Sequence, residues 1–332
     1  MAVYSKITVI GGGAWGTALA TMAARTGREL LLWAREDDVV TSINEHHENK
    51  DFLPGIPLAE NLKATGNLRD AANTDVILMV VPAQFVRPIS LDLKPHLKGS
   101  TPVILCAKGI EQSSGKLMSE VITEILPKSP LVVLSGPTFA SEVAKGLPSA
   151  VTIASKYQQI AQNVAETLGQ PTFRPYLSRD VIGAEVGGAV KNVLAVACGI
   201  VAGLELGDNA RAALITRGLA EMVRFGEALG AKRETMMGLC GLGDLILTCS
   251  SSQSRNMSLG MALGQGKTVE DIMSGRKSVA EGYHTANILA EIAARENIEM
   301  PIAEAVNKIL HQGGDVKDIV QDLMNRPYVS EL

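Results

Sequence analysis

The chain has 332 residues, 46% of them hydrophobic and only 4% aromatic, and a net charge of −4. This length favours two domains with aliphatic cores, and the mildly acidic, ordinary globular composition argues against a nucleic-acid partner. The four cysteines show no C-x-x-C spacing and the five histidines no metal-ligand spacing, so we expect no metal site and a reducing, cytoplasmic environment.

Glycine interrupts the first apolar run after Ile10, a pattern unlike a signal peptide. The most apolar segment, residues 193–204, is about a dozen residues long, whereas a membrane span needs roughly 20. We therefore expect a buried helix there and no membrane span.

Residues 7–10 are apolar or β-branched and lead directly into a glycine cluster, which predicts a strand, a tight loop and a helix. Gly11, Gly13 and Gly16 fill the pattern G-x-G-x-x-G. The first glycine permits the turn, the second lets the backbone approach a pyrophosphate, and the third lets the helix pack on the strand. The free N–H groups of the helix start then face the phosphates. We predict a dinucleotide here, although such a loop also serves simple packing or an adenosylmethionine site.

The rest of the first half alternates strands with helical stretches. Residues 29–34 predict a second buried strand that ends at Arg35 and Glu36. In a dinucleotide-binding fold, side chains at this strand end contact the ribose of the cofactor. One helix and a loop are expected over residues 37–61. Further strands are expected over residues 75–81, 101–106, 131–134 and 150–153. Unbroken apolar strands separated by helices predict a mostly parallel sheet covered on both faces.

From about residue 180 the β-branched runs fade and apolar residues recur at helical spacing. Helices are expected over residues 181–204, 210–229, 256–263, 268–273, 283–296 and 302–312. The sequence therefore predicts an α/β N-terminal domain, residues 1–182, with a Rossmann-like, mostly parallel sheet that binds the dinucleotide. An all-α C-terminal domain, residues 183–332, would hold the substrate and the catalytic groups.

Polar residues directly after predicted strands are candidate ligand contacts, because open α/β sheets bind ligands beyond the carboxyl ends of their strands. Lys108 follows one such strand and precedes a glycine; the alternative is a solvated surface lysine. The turn at Gly136 and Pro137, with the Thr138 hydroxyl, could bind an oxyanion or the nicotinamide amide. A Gly-Pro turn is also often only a turn.

The glycine-rich helix of the second half places Gly188, Lys191 and Asn192 on one face. Adjacent glycines cost a helix roughly 1 kcal/mol each relative to alanine, so close approach of a ligand or another backbone should compensate. Burial of Lys191 beside another cation would lower its pKa toward the range of a proton donor at neutral pH. The alternative is a packing glycine pair with a lysine that reaches solvent.

The last cluster runs from Asp244 through Thr248 to Ser254, Arg255 and Asn256. A serine-rich loop that enters a helix brings hydroxyls, N–H groups and a guanidinium together, which suits a phosphate. The alternative is a helix cap with a solvated arginine.

Taken together, these motifs resemble bacterial NAD(P)-dependent glycerol-3-phosphate dehydrogenases over essentially the whole chain. The matching motifs are the glycine loop with Trp15 and residues 107–109, 134–137, 185–192, 243–244 and 254–256. The resemblance implies reversible reduction of dihydroxyacetone phosphate to sn-glycerol 3-phosphate with NADP(H) or NAD(H), for phospholipid synthesis. It also implies a homodimer.

The resemblance assigns roles to residues. Lys191 would donate and accept the proton, while Lys108 and Asp244 line the reacting carbonyl. The substrate would be held by Lys108, Gly136, Thr138, Lys191, Asn192, Asp244, Thr248, Ser254, Arg255 and Asn256. The cofactor would be contacted by Gly11, Gly13, Ala14, Trp15, Gly16, Arg35, Lys108, Ala140, Lys191, Arg255, Val279 and Glu281. The roles of Ala140, Val279 and Glu281 rest on the resemblance alone.

Two other functions stay open at this stage. A sister enzyme that acts on a β-hydroxy acid would share the glycine loop and a helical lysine but should lack a phosphate pocket around Arg255. A binding module that senses the redox state of the cofactor, without catalysing a reaction, would keep the glycine loop but would not need Lys191 and Lys108. Because Arg35 precedes Glu36 at the strand end, we predict that NADPH is accepted and preferred, with NADH use still plausible.

Overall fold

In the computed structural model, residues 4–274 and 280–328 are described, and they form a sheet followed by a set of helices. The strands are β1 (Lys6–Ile10), β2 (Glu29–Trp33), β3 (Leu62–Thr65), β4 (Val76–Met79), β5 (Val103–Leu105), β6 (Leu131–Ser135), β7 (Ser149–Ala154) and β8 (Phe173–Ser178). The helices between or after the strands are α1 (Ala14–Ala24), α2 (Asp37–His46), α3 (Leu68–Ala71), α4 (Val86–Leu93), α5 (Met118–Ile125), α6 (Ala140–Lys145) and α7 (Gln158–Leu168). The helices of the second half are α8 (Val181–Gly203), α9 (Gly207–Ala228), α10 (Arg233–Met236), α11 (Asp244–Cys249), α12 (Arg255–Gly264), α13 (Val269–Ser274), α14 (Glu281–Arg295), α15 (Pro301–His311) and α16 (Val316–Met324).

The strands form one sheet in the order β3-β2-β1-β4-β5-β6-β7-β8. Every neighbouring pair is parallel except β6 and β7, which are antiparallel. The only helix between β6 and β7 has six residues and is about 9 Å long, too short to carry the chain back along the sheet. The fold predicted from the sequence, a mostly parallel Rossmann-like sheet followed by a helical domain, is confirmed.

Apolar side chains cover both faces of the sheet, as the unbroken apolar strands predict. In β4, Val76 and Leu78 join one buried cluster, whereas Ile77 and Met79 join the other. The helical half has a separate core built around α8. The strand order reverses between β1 and β4, and such a reversal is where open α/β sheets bind ligands.

Two strands were not predicted. In β3 buried and exposed residues alternate, with Lys63 on the exposed side. The edge strand β8 contains Arg174 and Pro175 and is largely exposed; proline is tolerated at a sheet edge, where one row of N–H groups has no partner strand. Neither segment has the continuous apolar run that marked the other strands.

Helix α8 matches the helix predicted over residues 181–204 to within one residue, and the dozen apolar residues singled out in the sequence lie in its C-terminal half. It has 23 residues and would be long and apolar enough to cross a membrane by length and composition alone, yet 89% of its most apolar window is buried within the protein. It packs against α9, α11, α12 and α14. A Cβ atom on Gly260 of α12 would lie 1.9 Å from the Val196 carbonyl oxygen, so glycine allows these two helices to approach at backbone distance.

Candidate active site

The glycine loop joins β1 to α1 at the reversal of strand order. Gly11 has a φ of +126°, and a Cβ there would lie 3.0 Å from the backbone nitrogen of Val81. A Cβ on Gly16 would lie 1.9 Å from the Gly11 carbonyl oxygen. The first and third glycines are therefore required by the turn and by the packing of helix on strand.

The two glycines between them differ in what surrounds them. A Cβ on Gly12 would lie 2.5 Å from the Cβ of Ala34, whereas a Cβ on Gly13 would meet no protein atom within 4 Å. Packing within the chain thus explains Gly12 but not Gly13. Close approach of a pyrophosphate, as the sequence predicts, would explain Gly13, which leads into α1 at Ala14 without a side-chain cap.

Arg35 lies just beyond the end of β2, where the sequence placed the ribose contact. Its guanidinium donates to the carboxylate of Glu36 at 2.8 Å and lies 5.8 Å from the centre of the Phe85 ring. The Arg35 side chain is 70% exposed. If a 2′-phosphate binds here as the sequence predicts, Glu36 would compete with it for the same guanidinium.

Two lysines meet on one buried carboxylate at the carboxyl edge of the sheet. Lys191 of α8 donates to Oδ1 of Asp244 at 2.5 Å and to the Thr248 hydroxyl at 2.8 Å. Lys108, in the loop after β5, donates to Oδ2 of Asp244 at 2.7 Å and to the Gly136 carbonyl at 3.1 Å. Five residues predicted for the site thus form one hydrogen-bonded cluster.

Burial changes the pKa of Lys191 within this cluster. Asp244 has no exposed side-chain surface and that of Lys191 is 8% exposed. Burial lowers the pKa of the Lys191 ammonium to about 8; Asp244 opposes this change and the nearby Lys108 adds to it. Lys191 can therefore give up its proton near neutral pH, as its place in an apolar helix predicted.

The glycine pair of α8 makes room for this arrangement. A Cβ on Gly188 would lie 3.2 Å from Cγ of Lys108, and a Cβ on Gly187 would lie 2.2 Å from the Cys240 carbonyl oxygen. Cys240 belongs to a π-helical segment, Leu239–Gly243, that ends immediately before Asp244. Close approach of another backbone, one of the two forms expected from the sequence, therefore occurs at Gly187, whereas Gly188 admits the side-chain stem of Lys108.

The Gly-Pro turn after β6 joins the cluster through its carbonyl group rather than through N–H groups. The Gly136 carbonyl accepts from the Lys108 ammonium and, at 3.3 Å, from the Thr138 hydroxyl. The turn therefore holds Lys108, a role that the sequence did not indicate.

A second network connects the predicted substrate residues to α14. Asn256 donates from its side-chain amide to Oδ1 of Asn192 at 2.9 Å and accepts from the backbone N–H of Gly282 at 2.9 Å. Ser254 caps α12 by accepting from the N–H of Met257 at 3.2 Å. The cap proposed as an alternative for this loop is therefore present, and it leaves the hydroxyl proton of Ser254 for another acceptor.

Arg255 and Glu281 are the first residues of α12 and α14. One carboxylate oxygen of Glu281 accepts from the N–H of Ala83 at 3.2 Å, while the other is buried without a hydrogen-bond partner among the described residues. Burial raises the pKa of Glu281 to about 7, against the lowering effects of the Ala83 N–H and of Arg255.

Two further predicted cofactor contacts, Ala140 and Trp15, belong to other elements than the lysine pair. Ala140 is the first residue of α6, and Val279 lies outside the described residues. The indole N–H of Trp15 is buried and has no hydrogen-bond partner in the described part of the chain. This N–H group, Gly13 and the Glu281 oxygen that has no partner among the described residues are candidates to contact a polar cofactor.

Sequence reasoning missed two supports of the site. Asn49 is fully buried and donates to the carbonyl oxygen of Gly12. Arg87 forms two hydrogen bonds with buried Glu111, at 2.8 and 2.9 Å, in the loop that carries Lys108. Each pair is separated by more than 20 residues, so no local pattern indicates it.

A glycine loop at the strand-order reversal marks a dinucleotide site, and the lysine pair at the same edge can protonate an oxygen as a hydride arrives at the adjacent carbon. The fold and the site therefore define a nicotinamide-dependent dehydrogenase. Residues 6–161 match the family described as NAD-dependent glycerol-3-phosphate dehydrogenase N-terminus, and residues 180–321 match the corresponding C-terminus.

Known proteins are similar over the full chain. The glycerol-3-phosphate dehydrogenase [NAD(P)+] of Parvibaculum lavamentivorans is 56% identical over 99% of this chain and 98% of its own length. That of Rhodospirillum rubrum is 56% identical over 98% and 93%. The crystal structure of glycerol-3-phosphate dehydrogenase from Coxiella burnetii superposes with a TM-score of 0.94 at 41% identity, covering 98% of this chain and 100% of that one. The chain belongs to the NAD-dependent glycerol-3-phosphate dehydrogenase family.

Proposed function

We propose that the protein catalyses the reversible reduction of dihydroxyacetone phosphate to sn-glycerol 3-phosphate, with NADPH or NADH as the reductant. The observation that carries this proposal is the pair of lysines on buried Asp244 in a chain of this family. Two ammonium groups and one carboxylate leave a charge of +1 in the cluster, which suits an oxygen that becomes negative during the reaction.

When bound, the reduced nicotinamide supplies hydride to the carbonyl carbon. The side chains of the protein supply the proton and stabilise the charge on the oxygen. Lys191 stabilises the developing alkoxide and donates its proton to it. Lys108 adds a second positive charge beside the same oxygen and is held there by Asp244 and by the Gly136 carbonyl. Thr248 donates to the backbone carbonyl of Asp244 at 2.6 Å and accepts from Lys191, which fixes the direction of the ammonium.

We place the substrate phosphate at the start of α12. Arg255, the Ser254 hydroxyl and the N–H groups of the first helical turn can each donate to a phosphate there. The phosphate is remote from the reacting carbon, so its binding energy can orient the carbonyl toward Lys191.

The test mixes the purified protein with NADPH and dihydroxyacetone phosphate and follows the loss of NADPH absorbance. Rapid loss is expected, with much slower loss when phosphate-free dihydroxyacetone is the substrate. An enzyme for a β-hydroxy acid would not show this dependence on phosphate, and a module that only senses the cofactor would bind NADPH without consuming it. Either outcome would contradict the proposal.

We further propose that residues 1–182 form the dinucleotide-binding domain and residues 183–332 the substrate and catalytic domain. The change from strand to helix between Ser178, the end of β8, and Val181, the start of α8, supports a division near this point. The four cysteines are buried and free, which supports a reducing cytoplasm. The resemblance to the family supports a homodimer that supplies glycerol 3-phosphate for phospholipids, and light scattering would test the homodimer.

A further inference from the structure

Asn49 has no exposed surface and lies in the loop after α2, more than 30 residues from the glycine loop in sequence. Its side-chain amide donates to the Gly12 carbonyl at 2.8 Å and to the Thr17 hydroxyl at 2.7 Å. Its side-chain oxygen accepts from the N–H of Phe52 at 3.1 Å. The side chain therefore connects the turn over residues 49–53 to the glycine loop.

The carbonyl that Asn49 holds belongs to the same peptide group as the N–H of Gly13. The described residues contain no cis peptide bond, and in a planar trans peptide the C=O and the N–H point in opposite directions. Gly12 is buried and Gly13 is exposed. Holding the Gly12 carbonyl inward therefore holds the Gly13 N–H outward, at the start of α1.

We propose that Asn49 is a positioning residue for the dinucleotide, because it fixes the Gly12–Gly13 peptide so that the Gly13 N–H faces the pyrophosphate. This inference rests on the proposed use of NAD(P)H at the glycine loop. Because both residues are glycine, the backbone angles on either side of this peptide group are weakly restricted. The peptide group could therefore rotate at little cost in free energy and turn its N–H away from the ligand, unless another group prevents the rotation. Thr17 also donates to the Gly12 carbonyl, but at 3.4 Å its hydroxyl holds it weakly.

Asn44 provides a matched control. Its side-chain amide donates to the Ala64 carbonyl at 3.0 Å, and its side-chain oxygen accepts from the Ala64 N–H at 2.9 Å. Asn44 thus joins α2 to β3 with the same chemistry and has no hydrogen bond to the glycine loop among the described residues. Its loss should lower stability without changing the Gly13 N–H.

The test compares Asn49→Leu and Asn44→Leu in the full chain. Leucine keeps the γ-branched shape of asparagine with a somewhat larger volume and adds no charge, but it donates no hydrogen bond. We expect Asn49→Leu to weaken the binding of NADH and of ADP-ribose by about tenfold to a hundredfold. The KM for dihydroxyacetone phosphate and kcat at saturating cofactor should stay nearly unchanged. Asn44→Leu should bind both ligands as the wild type does.

Two further variants keep the test decisive if Asn49→Leu does not fold. Thr17→Val should weaken ADP-ribose binding by less than loss of Asn49 does, because the Asn49–Gly12 bond remains. Asn49→Asp keeps the acceptor for Phe52 but replaces the donor with a second acceptor that repels the Gly12 carbonyl, so it should bind ADP-ribose poorly wherever its carboxyl group is ionised. Wild-type affinity for ADP-ribose in the Asn49 variants, or equal loss in Asn44→Leu, would overturn the inference. A wild-type protein that binds no NADH would instead overturn the proposed function.

Discussion

The Lys191 ammonium lies 2.5 Å from Oδ1 of Asp244, and both side chains are buried. The other oxygen of the same carboxylate is 2.7 Å from the ammonium of Lys108. One buried carboxylate therefore balances two cations, and the excess positive charge is placed where a carbonyl oxygen would become negative. The rate, the pH dependence and the stability of the enzyme should all respond to changes in this cluster.

Replacing Lys191 with alanine should remove the proton donor while leaving NAD(P)H binding largely intact. The loss of a general acid lowers kcat by about 10² to 10⁴. Steady-state kinetics with dihydroxyacetone phosphate, together with direct titration of the cofactor, separates the two effects. A near-normal kcat in Lys191→Ala would remove this lysine from the mechanism.

The pKa of Lys191, lowered to about 8, sets the direction of the pH dependence. Reduction of the ketone needs the protonated ammonium, so its rate should fall as pH rises through about 8, whereas oxidation of glycerol 3-phosphate needs the neutral amine and should rise through the same pH. In Asp244→Asn the carboxylate that raises this pKa is lost while Lys108 remains. Both pH profiles of that variant should therefore move to lower pH; profiles that stay in place would show that another group titrates.

Asp244→Asn should also destabilise the fold, because it leaves two neighbouring ammonium groups without a counter-charge. Breaking a buried pair by removal of one partner costs about 3 to 5 kcal/mol. Asp208 serves as the control: its pair with Arg211 is at the surface, where its side chain is 88% exposed, so Asp208→Asn should barely change the free energy of unfolding. Equal stability of the two variants in urea would contradict this account.

The sequence predicted the lysine cluster only in part, for a physical reason. Helical spacing placed Lys191 and the glycine pair on α8, and the strand end placed Lys108 at the ligand edge. Asp244 is separated by more than 50 residues from Lys191 and by more than 130 from Lys108, so its role came only from the resemblance. Local sequence patterns can predict helices, strands and turns. They cannot predict which distant residue forms an ion pair with both lysines, because that depends on tertiary contacts.

Asn49 illustrates the same limit at the other end of the site. The glycine spacing predicted the turn, the helix start and the dinucleotide. An asparagine in a polar loop gives no local signal that it is buried against Gly12, because the contact exists only once β1, α1 and α2 have packed together. The strand β8 was missed for a different reason: its charges and its proline suit an edge strand, whereas the prediction relied on apolar runs.

Arg255→Ala should impair recognition of the substrate phosphate. Loss of a charge-assisted hydrogen bond should raise the KM for dihydroxyacetone phosphate by about tenfold to a hundredfold, with a smaller change in the KM for the cofactor. Arg233→Ala, which removes an exposed arginine paired with Glu227, should change neither value. If Arg255→Ala still discriminated the phosphorylated substrate from dihydroxyacetone as well as the wild type does, the phosphate site would have to lie elsewhere, with Lys108 the next candidate.

The preference for NADPH or NADH should depend on whether the Arg35 guanidinium binds the 2′-phosphate or stays paired with Glu36. The guanidinium of Arg35 is 70% exposed at the end of β2, where a 2′-phosphate would lie, but it pairs with Glu36 at 2.8 Å. We expect Arg35→Ala to lower kcat/KM for NADPH by about tenfold to a hundredfold, the effect of losing a charge-assisted hydrogen bond, with little change for NADH.

Glu36→Gln should have the opposite effect on the same ratio. It removes the carboxylate that competes for Arg35 and that would repel a 2′-phosphate, while the arginine stays in place, so the preference for NADPH should increase. The measurement is kcat/KM with each cofactor in the wild type and in both variants. Equal losses with NADPH and NADH in Arg35→Ala, or a wild type that strongly favours NADH, would show that Arg35 does not bind the 2′-phosphate and that the ribose is read by another group at this strand end.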